Sequence, residues 1–325
     1  MSIAFYQHLA QVLEQKLPVV VATVTHIKGS VPREVGAKMI VCADGQTMGT
    51  IGGGAGEAKV IDYALAVLLT GENQWVEIDL SGAPHRETQG ICGGIMRVWL
   101  ERWSGEDAID LTRQILALLQ SGQSATLVIP FDAQTPSFLL NPSLPIPSDA
   151  FVETLQPPPT LLIVGAGHVG EQLAKVAHLI GFQIAIQDDR IDWANPHRYP
   201  QACQIFAEPI AASIPQLATH TQLYAALVTR GYQYDLEALK WLLNREISCH
   251  YIGMIGSEKR VRQVYQAIEQ TGISRNKLSL IYAPIGLDIG ALTPEEIAVS
   301  IAAELILVRR GGTGRSLSEH LRQSF

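Results

Sequence analysis

Three sets of residues have the types and spacing that chemistry needs. The first is Gly165-Ala166-Gly167-His168-Val169-Gly170, followed downstream by the paired acids Asp188 and Asp189. In a G-x-G-x-x-G turn the first glycine permits a tight bend, the second lets a diphosphate approach the backbone, and the third lets helix and strand pack closely. One of the two acids then stands where a ribose hydroxyl would be held, and His168 stands where it could face a phosphate or simply be solvated at a helix start. The second set is Gly52-Gly53-Gly54-Ala55-Gly56-Glu57 at the mouth of a helix, with Arg33 and Lys38 upstream. Oriented amides, a helix dipole and two cations suit a phosphate or a pterin phosphate, although the order is not that of a Walker loop. The other reading is a tight turn with surface charges around it. The third is Cys92 in Gly90-Ile91-Cys92-Gly93-Gly94, where nothing bulky shields the sulfur. Such a thiolate could be a metal ligand, a persulfide carrier or a nucleophile, and the amides of a glycine turn would stabilise it.

The elements that must position these groups follow from periodicity. Leu161 to Val164 is an apolar run that stops at the glycine turn, and helical spacing takes over through Leu173, Val176, Ala177 and Ile180. Gly181 caps that helix, and a second strand through Phe182, Ile184 and Ile186 delivers the two acids. This strand–turn–helix–strand order predicts a Rossmann-type unit. Further on, Leu223 to Val228 reads as a strand ending in Thr229-Arg230-Gly231, with a helix from Asp235. His250 to Ile255 reads as a strand ending in Gly256-Ser257, and Leu280 to Ala283 as a last short strand opening into the Gly286 to Gly290 loop. Thr293-Pro294-Glu295-Glu296 is a capping box with proline at the first helical position. Ligands of open parallel sheets lie beyond the carboxyl ends of the strands, where Arg230, Ser257 and Gly286 would gather.

The first half has a different rhythm. A short helix over residues 3–16 is stopped by Pro18, and Val19 to Ile27 is a β-branched strand followed by the polar, basic loop that carries Arg33. A helix runs from the glycine cluster to Leu69, strands follow at Trp75 to Leu80 and Met96 to Trp103, then a helix at Glu106 to Gln120 and a strand at Ser124 to Phe131. Prolines then crowd residues 141–159, which reads as a semi-stiff spacer. The predicted fold is α/β throughout: an N-terminal α/β domain over 1–140, the spacer, and a Rossmann-like parallel-sheet domain over 160–325.

Composition narrows the class. A chain of 325 residues with 47% hydrophobic side chains suggests two cores. A net charge of -7 argues against nucleic-acid and anionic-membrane partners. Cys42, Cys92, Cys203 and Cys249 form no CxxC pair, and all but Cys92 lie in or beside apolar strand-like segments where burial explains them. Without a secretory pattern or a membrane-length apolar run, a cytoplasmic location is expected.

The segments GSVPREVGAKMIV, GTIGGGAGE, ICGG, VGAGHVG, DDR, TRGYQYD, YIGMIGSEKR and PIGLDIGALTPEEIAVSIAAELI together resemble the XdhC/CoxI family of molybdenum hydroxylase accessory proteins. They span nearly the whole chain in family order. One departure is Tyr232, where the resemblance leads one to expect a histidine after Thr-Arg-Gly. The resemblance implies a maturation factor, rather than a turnover enzyme, that binds molybdenum cofactor, protects it during sulfuration and delivers it to xanthine dehydrogenase or a related hydroxylase. A cysteine desulfurase and a second copy of the chain are the further partners it implies. Gly52–Gly54, Glu57, Arg33 and Lys38 would then cradle the pterin phosphate, Cys92 would contact molybdenum or carry sulfur, and the Rossmann pocket would hold the cofactor's nucleotide, NAD(P) or another nucleotide. An NAD(P)-dependent oxidoreductase and a nucleotide sensor are the competing readings; against the first, no Tyr-xxx-Lys or His/Asp pair of a dehydrogenase pattern is present.

Overall fold

The computed structural model describes residues 3–80, 93–132, 135–141 and 145–318. It divides the chain into two units, Met1–Pro157 and Pro158–Phe325.

The first unit begins with α1 (Ile3–Glu14), β1 (Val19–Lys28), β2 (Lys38–Cys42), β3 (Thr47–Gly49), α2 (Gly54–Thr70), β4 (Gln74–Asp79) and β5 (Ile95–Trp103). These strands form an antiparallel sheet in the order β3-β2-β1-β5-β4. The pleat sorts the side chains of β1: Val19 and Val21 join Phe5, Leu9, Trp99 and Ile115 on one face, while Val20, Ala22 and Val24 join Met39, Val60, Ala64 and Val67 of the other. A bulge at Val24/His26 then shifts the phase for the rest of the strand. The unit continues with α3 (Gly105–Gln120), β6 (Ala125–Pro130), β7 (Phe138–Leu139) and β8 (Ala150–Leu155), the last three forming a small sheet in the order β7-β6-β8. The proline-rich stretch is therefore not spacer throughout. β8 pairs with β6 along its length, from Ala125↔Leu155 to Pro130↔Ala150. Prolines flank the strand without entering it, so its ladder hydrogen bonds survive.

The second unit runs β9 (Thr160–Val164), α4 (His168–Leu179), β10 (Gln183–Gln187), β11 (Ala202–Phe206), α5 (Ile210–Gln216), β12 (Leu223–Leu227), α6 (Tyr232–Leu243), β13 (Tyr251–Met254), α7 (Glu258–Glu269), α8 (Arg275–Leu278) and α9 (Pro294–Arg310). The parallel sheet has the order β11-β10-β9-β12-β13, the Rossmann arrangement, with its switch point between β9 and β12. Every residue of β9 and β12 is buried, as a two-faced parallel sheet requires. Leu162, Val164, Leu223 and Leu227 face α5 to α7, whereas Leu161, Ile163, Ile184 and Ile186 face α4 and α9. Each such side chain contributes roughly 1.5–3 kcal/mol of transfer free energy.

Local differences have physical causes. The strand expected at Leu280 to Ala283 is reduced to one parallel bridge, Gly253↔Tyr282, because Leu280 has nothing to bury against and is 73% exposed. Helix α6 begins at Tyr232 rather than at Asp235. Asp235 is drawn inside, where it accepts hydrogen bonds from Thr229 (2.6 Å) and Arg260 (2.6 Å). Cys203, expected inside, is exposed on edge strand β11. The capping box at Thr293 and Glu296 forms in both directions, with Pro294 at the helix start. No helix among the described residues is long and apolar enough to cross a membrane.

Candidate functional site

In the second unit the glycine turn joins β9 to α4. Gly165 has φ +109, and a Cβ there would stand 2.6 Å from the Val228 carbonyl oxygen. A Cβ on Gly170 would stand 2.3 Å from the Gly165 carbonyl oxygen, so the helix presses on the strand. At Gly167 a Cβ would meet nothing within 4 Å, and this residue opens α4 without a side-chain cap. That combination of an open approach and uncapped helical amides is a cradle of the kind a phosphate fits.

The acids after β10 are bound within the chain itself. Asp188 is buried and accepts from the Ala166 N–H (2.9 Å), the Arg190 N–H (3.1 Å) and both arms of the Arg190 guanidinium (2.8 Å each). Asp189 pairs with Arg230 at 2.9 Å, and Arg230 also donates to the Tyr234 hydroxyl and lies 4.1 Å above its ring. The cluster leaves a cavity of only about 20 Å³ beside Gly165. A ribose hydroxyl reaching this carboxylate shelf would therefore displace Arg230 from Asp189.

Burial alone would raise the Asp188 carboxyl, but the bonds from Arg190 and Ala166 outweigh it and hold the group down to about 2, from an ordinary 3.8. A depressed carboxyl contributes stability that is present above its unfolded value and is lost as pH falls toward its folded one. Wild type is expected to exceed Asp188→Asn in unfolding free energy by about 1–2 kcal/mol near neutral pH, after allowance for solvent screening, and the gap should close toward about pH 2. Chemical denaturation at the two pH values checks this; a gap of the same size at both would contradict it.

The remaining groups predicted at this end serve the turns. The Ser257 hydroxyl accepts from the Arg260 N–H at 3.4 Å and caps α7. Gly286 donates its N–H to Glu304 at 2.9 Å, and a Cβ there would stand 2.5 Å from Ser300 Oγ. His168 sits edge-on to Trp193, whose ring is covered by Arg190 and Arg198 at 4.6 and 4.3 Å. Tyr232 packs against the core at the start of α6.

In the first unit, three glycine-rich segments meet. A Cβ on Gly52 would stand 2.4 Å from Pro32, so the loop bearing Arg33 lies on the glycine turn. A Cβ on Gly94 would stand 2.4 Å from the Ser30 carbonyl oxygen and 2.7 Å from that of Lys28, so the same loop also lies against Gly93-Gly94. Cys92 itself lies outside the described residues. Gly53 and Gly54, at φ +76 and +67, are exposed with open space at both Cβ positions, and α2 starts there without a side-chain cap. Glu57 turns back into the loop: one of its oxygens accepts from Thr50 (2.6 Å), the Ile51 N–H (3.2 Å) and the Gly53 N–H (3.1 Å). It preorganises the turn from within. Arg33 is exposed and has no ion-pair partner among the described residues.

Lys38 does not join Arg33. The pleat that sends Met39 toward α2 sends Lys38, with Ile40, to the opposite face. There its ammonium is buried, paired with Glu153 of β8 and donating to Thr23 Oγ1 at 3.1 Å. Burial pushes the Lys38 ammonium down from its ordinary value, and Glu153 opposes that shift. The pair forms one wall of a groove of about 750 Å³ lined by residues 31–38, Gly49, Thr50 and β8. Glu153 is the residue that sequence reasoning missed, because it stands in the stretch read as spacer. Among the described residues no group of three His, Cys, Asp or Glu side chains could hold a metal ion.

Comparison with known proteins covers both units. The model for the XdhC Rossmann domain matches residues 161–305, and that for the XdhC and CoxI family matches residues 12–79. The chain is 28% identical, over 94% of its length, to a probable xanthine dehydrogenase subunit of Bacillus subtilis, covering 98% of that protein. It is 25% identical, over 89% of its length, to the molybdenum cofactor insertion chaperone PaoD of Escherichia coli, covering 83% of it. The Escherichia coli protein YqeB is 26% identical over 95% of the chain, which spans about half (47%) of that longer relative. A crystal structure described as a xanthine dehydrogenase from Bacillus halodurans matches with a TM-score of 0.73 and 28% identity, over 98% of each chain. With one family's models matching both the antiparallel first unit and the Rossmann second unit, the chain belongs to the XdhC and CoxI family.

Proposed function

We propose that the protein binds molybdenum cofactor, shields it during sulfuration and delivers it to xanthine dehydrogenase or a related molybdenum hydroxylase. The likeness to PaoD across 89% of the chain supports this reading. The structural observation that carries it is the convergence, in the first unit, of the Arg33 loop, the glycine turn at the start of α2 and Gly93-Gly94.

These residues fit the group. Arg33 and the uncapped amides beyond Gly53 would hold its phosphate, by charge-assisted bonds of the kind made at helix starts. Cys92, adjoining Gly93, would offer a soft thiolate to molybdenum or carry the sulfur that a cysteine desulfurase supplies. When bound, the cofactor supplies a dithiolene-held molybdenum whose terminal sulfur must be kept from water. The cradle at Gly167 would take a nucleotide, either the dinucleotide extension of the cofactor or NAD(P). In this reading the protein works in the cytoplasm as a homodimer.

The Rossmann strand order and the open Gly167 favour one second reading, an NAD(P)-dependent oxidoreductase. Anaerobic isolation, followed by extraction and identification of the bound group, separates the two. A pterin is the expected result. Nicotinamide nucleotide without pterin would replace the carrier with the dehydrogenase, and adenine nucleotide alone would make the protein a sensor.

A further inference from the structure

We propose that the outward face of α9 docks a second copy of the chain, whose own α9 lies antiparallel to it across a twofold axis. The pairing rests on the homodimer of the proposed function, for which it supplies the surface, and not on what the protein carries. Between Ile297 and Val308 the helix holds only two polar side chains, Ser300 and Glu304, and both are buried. Ser300 donates to the Leu287 carbonyl at 2.6 Å, and Glu304 accepts from the Tyr251 hydroxyl at 2.5 Å and the Gly286 N–H at 2.9 Å. The inward face, with Ala298, Ile301 and Leu305, packs on the sheet together with α4. Helical spacing then turns Val299, Ala303 and Ile306 the opposite way, and Val299 is 50% and Ile306 38% exposed. Leu292, 85% exposed, continues this line ahead of the helix. A surface helix ordinarily carries charge on its outer face, whereas one that is apolar all round belongs in an interior. The ordinary arrangement is seen in α7, on the other side of the same sheet, where Glu258 and Arg262 pair on the outer face.

The order of the outward side chains says what covers them. They run Glu295, Val299, Ala303, Ile306 and Arg310. An antiparallel copy placed so that Glu295 faces the partner's Arg310 also sets Val299 against the partner's Ile306. The axis then falls between Ala302 and Ala303, where small side chains let two helices approach to about 8 Å. Such self-complementarity is what a contact between identical surfaces requires, since each half of the patch must fit the other. Glu295 and Arg310 are exposed and in no ion pair among the described residues. Their neighbours are already engaged: Glu296 closes the capping box, and Arg309 donates to the Ile180 carbonyl at 3.2 Å. The two available charges fix orientation and register more than affinity, because a parallel copy would set like against like. Opposed helix dipoles favour the same orientation. The charges stand about 22 Å apart along the helix, so the contact is at the small end of specific interfaces and a dissociation constant in the micromolar range is expected.

The test is sedimentation equilibrium of the full-length protein over roughly 1–200 µM, a span that brackets such a constant. Val299→Lys puts a charge into the contact from each copy. Lysine is a good helix former and Glu295 lies one turn before it, so α9 itself is not weakened. The charge pair is probed by E295R, R310E and the reversed pair E295R/R310E, and the unfolding transition of every variant is compared with that of wild type. The expected result is a wild-type dimer whose dissociation constant rises at least about tenfold in V299K and about threefold or more in each charge variant, where like charges meet. In E295R/R310E it should return to within about threefold of wild type. A dimer held as tightly by V299K as by wild type, or a reversed pair no tighter than the single charge variants, would overturn the α9 contact and leave the homodimer standing. A wild type that stays monomeric throughout would overturn both. Loss of binding to the apo hydroxylase by V299K would in that case give the face to the client enzyme.

Discussion

Gly170→Val is expected to cost the second unit about 3 kcal/mol or more, while Gly167→Ala, three residues earlier in the same turn, should cost about 1 kcal/mol or less. The difference comes from what each new Cβ would meet. At Gly170 it would stand 2.3 Å from the Gly165 carbonyl oxygen and 3.4 Å from an Ile163 methyl. The strand cannot retreat, because Gly165 is itself held against Val228 on the other side, where its own Cβ would stand 2.6 Å from a carbonyl oxygen. Helix α4 would have to lift off β9, uncovering Leu173, Ala174 and Ala177. At Gly167 the new methyl enters open space at an ordinary φ of −77, and the cost is that of a poorer helix cap. Equilibrium denaturation of the two variants checks the contrast; equal losses would mean that the third glycine does not set the helix–strand spacing.

Breaking the buried pair of the first unit is expected to be as severe. Glu153→Ala leaves the Lys38 ammonium beneath β8 with only Thr23 Oγ1 as a partner among the described residues, a loss of about 3–5 kcal/mol. Replacing both residues, as in K38M/E153L, removes the orphaned charge together with its cause and should change stability by less than about 2 kcal/mol. Unfolding free energies of the single and double variants give the coupling directly. Additive losses would show that the two groups do not act as a pair.

These two sites were not equally legible in the sequence. The glycine turn could be read because its geometry is local: strand, three spaced glycines and helix lie within a dozen or so residues, and each glycine has its own steric reason. The capping box at Thr293 was readable for the same reason. The Lys38–Glu153 pair was not, since its partners are brought together only when β8 pairs with β6 and the small sheet packs on the α1/α3 face. The sequence did carry one signal, the alternation of Phe151, Glu153 and Leu155 with Val152 and Thr154, but the surrounding prolines outweighed it. The short edge strand β11, with no clean alternation of burial, was missed as well. At the sites themselves, charge was legible and its use was not. Asp188 and Glu57 are acids at glycine turns, where the sequence suggests contact with a ligand, and the structure has both accepting the chain's own amides. Asp235 looked like a helix start and is instead the buried partner of Arg260 and Thr229, tying the turn after β12 to the start of α7.

If the protein delivers the cofactor, it should activate an apo molybdenum hydroxylase of the xanthine dehydrogenase kind. Protein loaded anaerobically with sulfurated cofactor is mixed with the apo enzyme, and the rate of appearance of hydroxylase activity is compared with that produced by free cofactor. Wild type is expected to activate the enzyme faster and to a higher final level. Cys92→Ser, with an unchanged unfolding transition, is expected to bind cofactor yet leave the enzyme inactive. Activation at the same rate with free cofactor as with the loaded protein would rule out delivery.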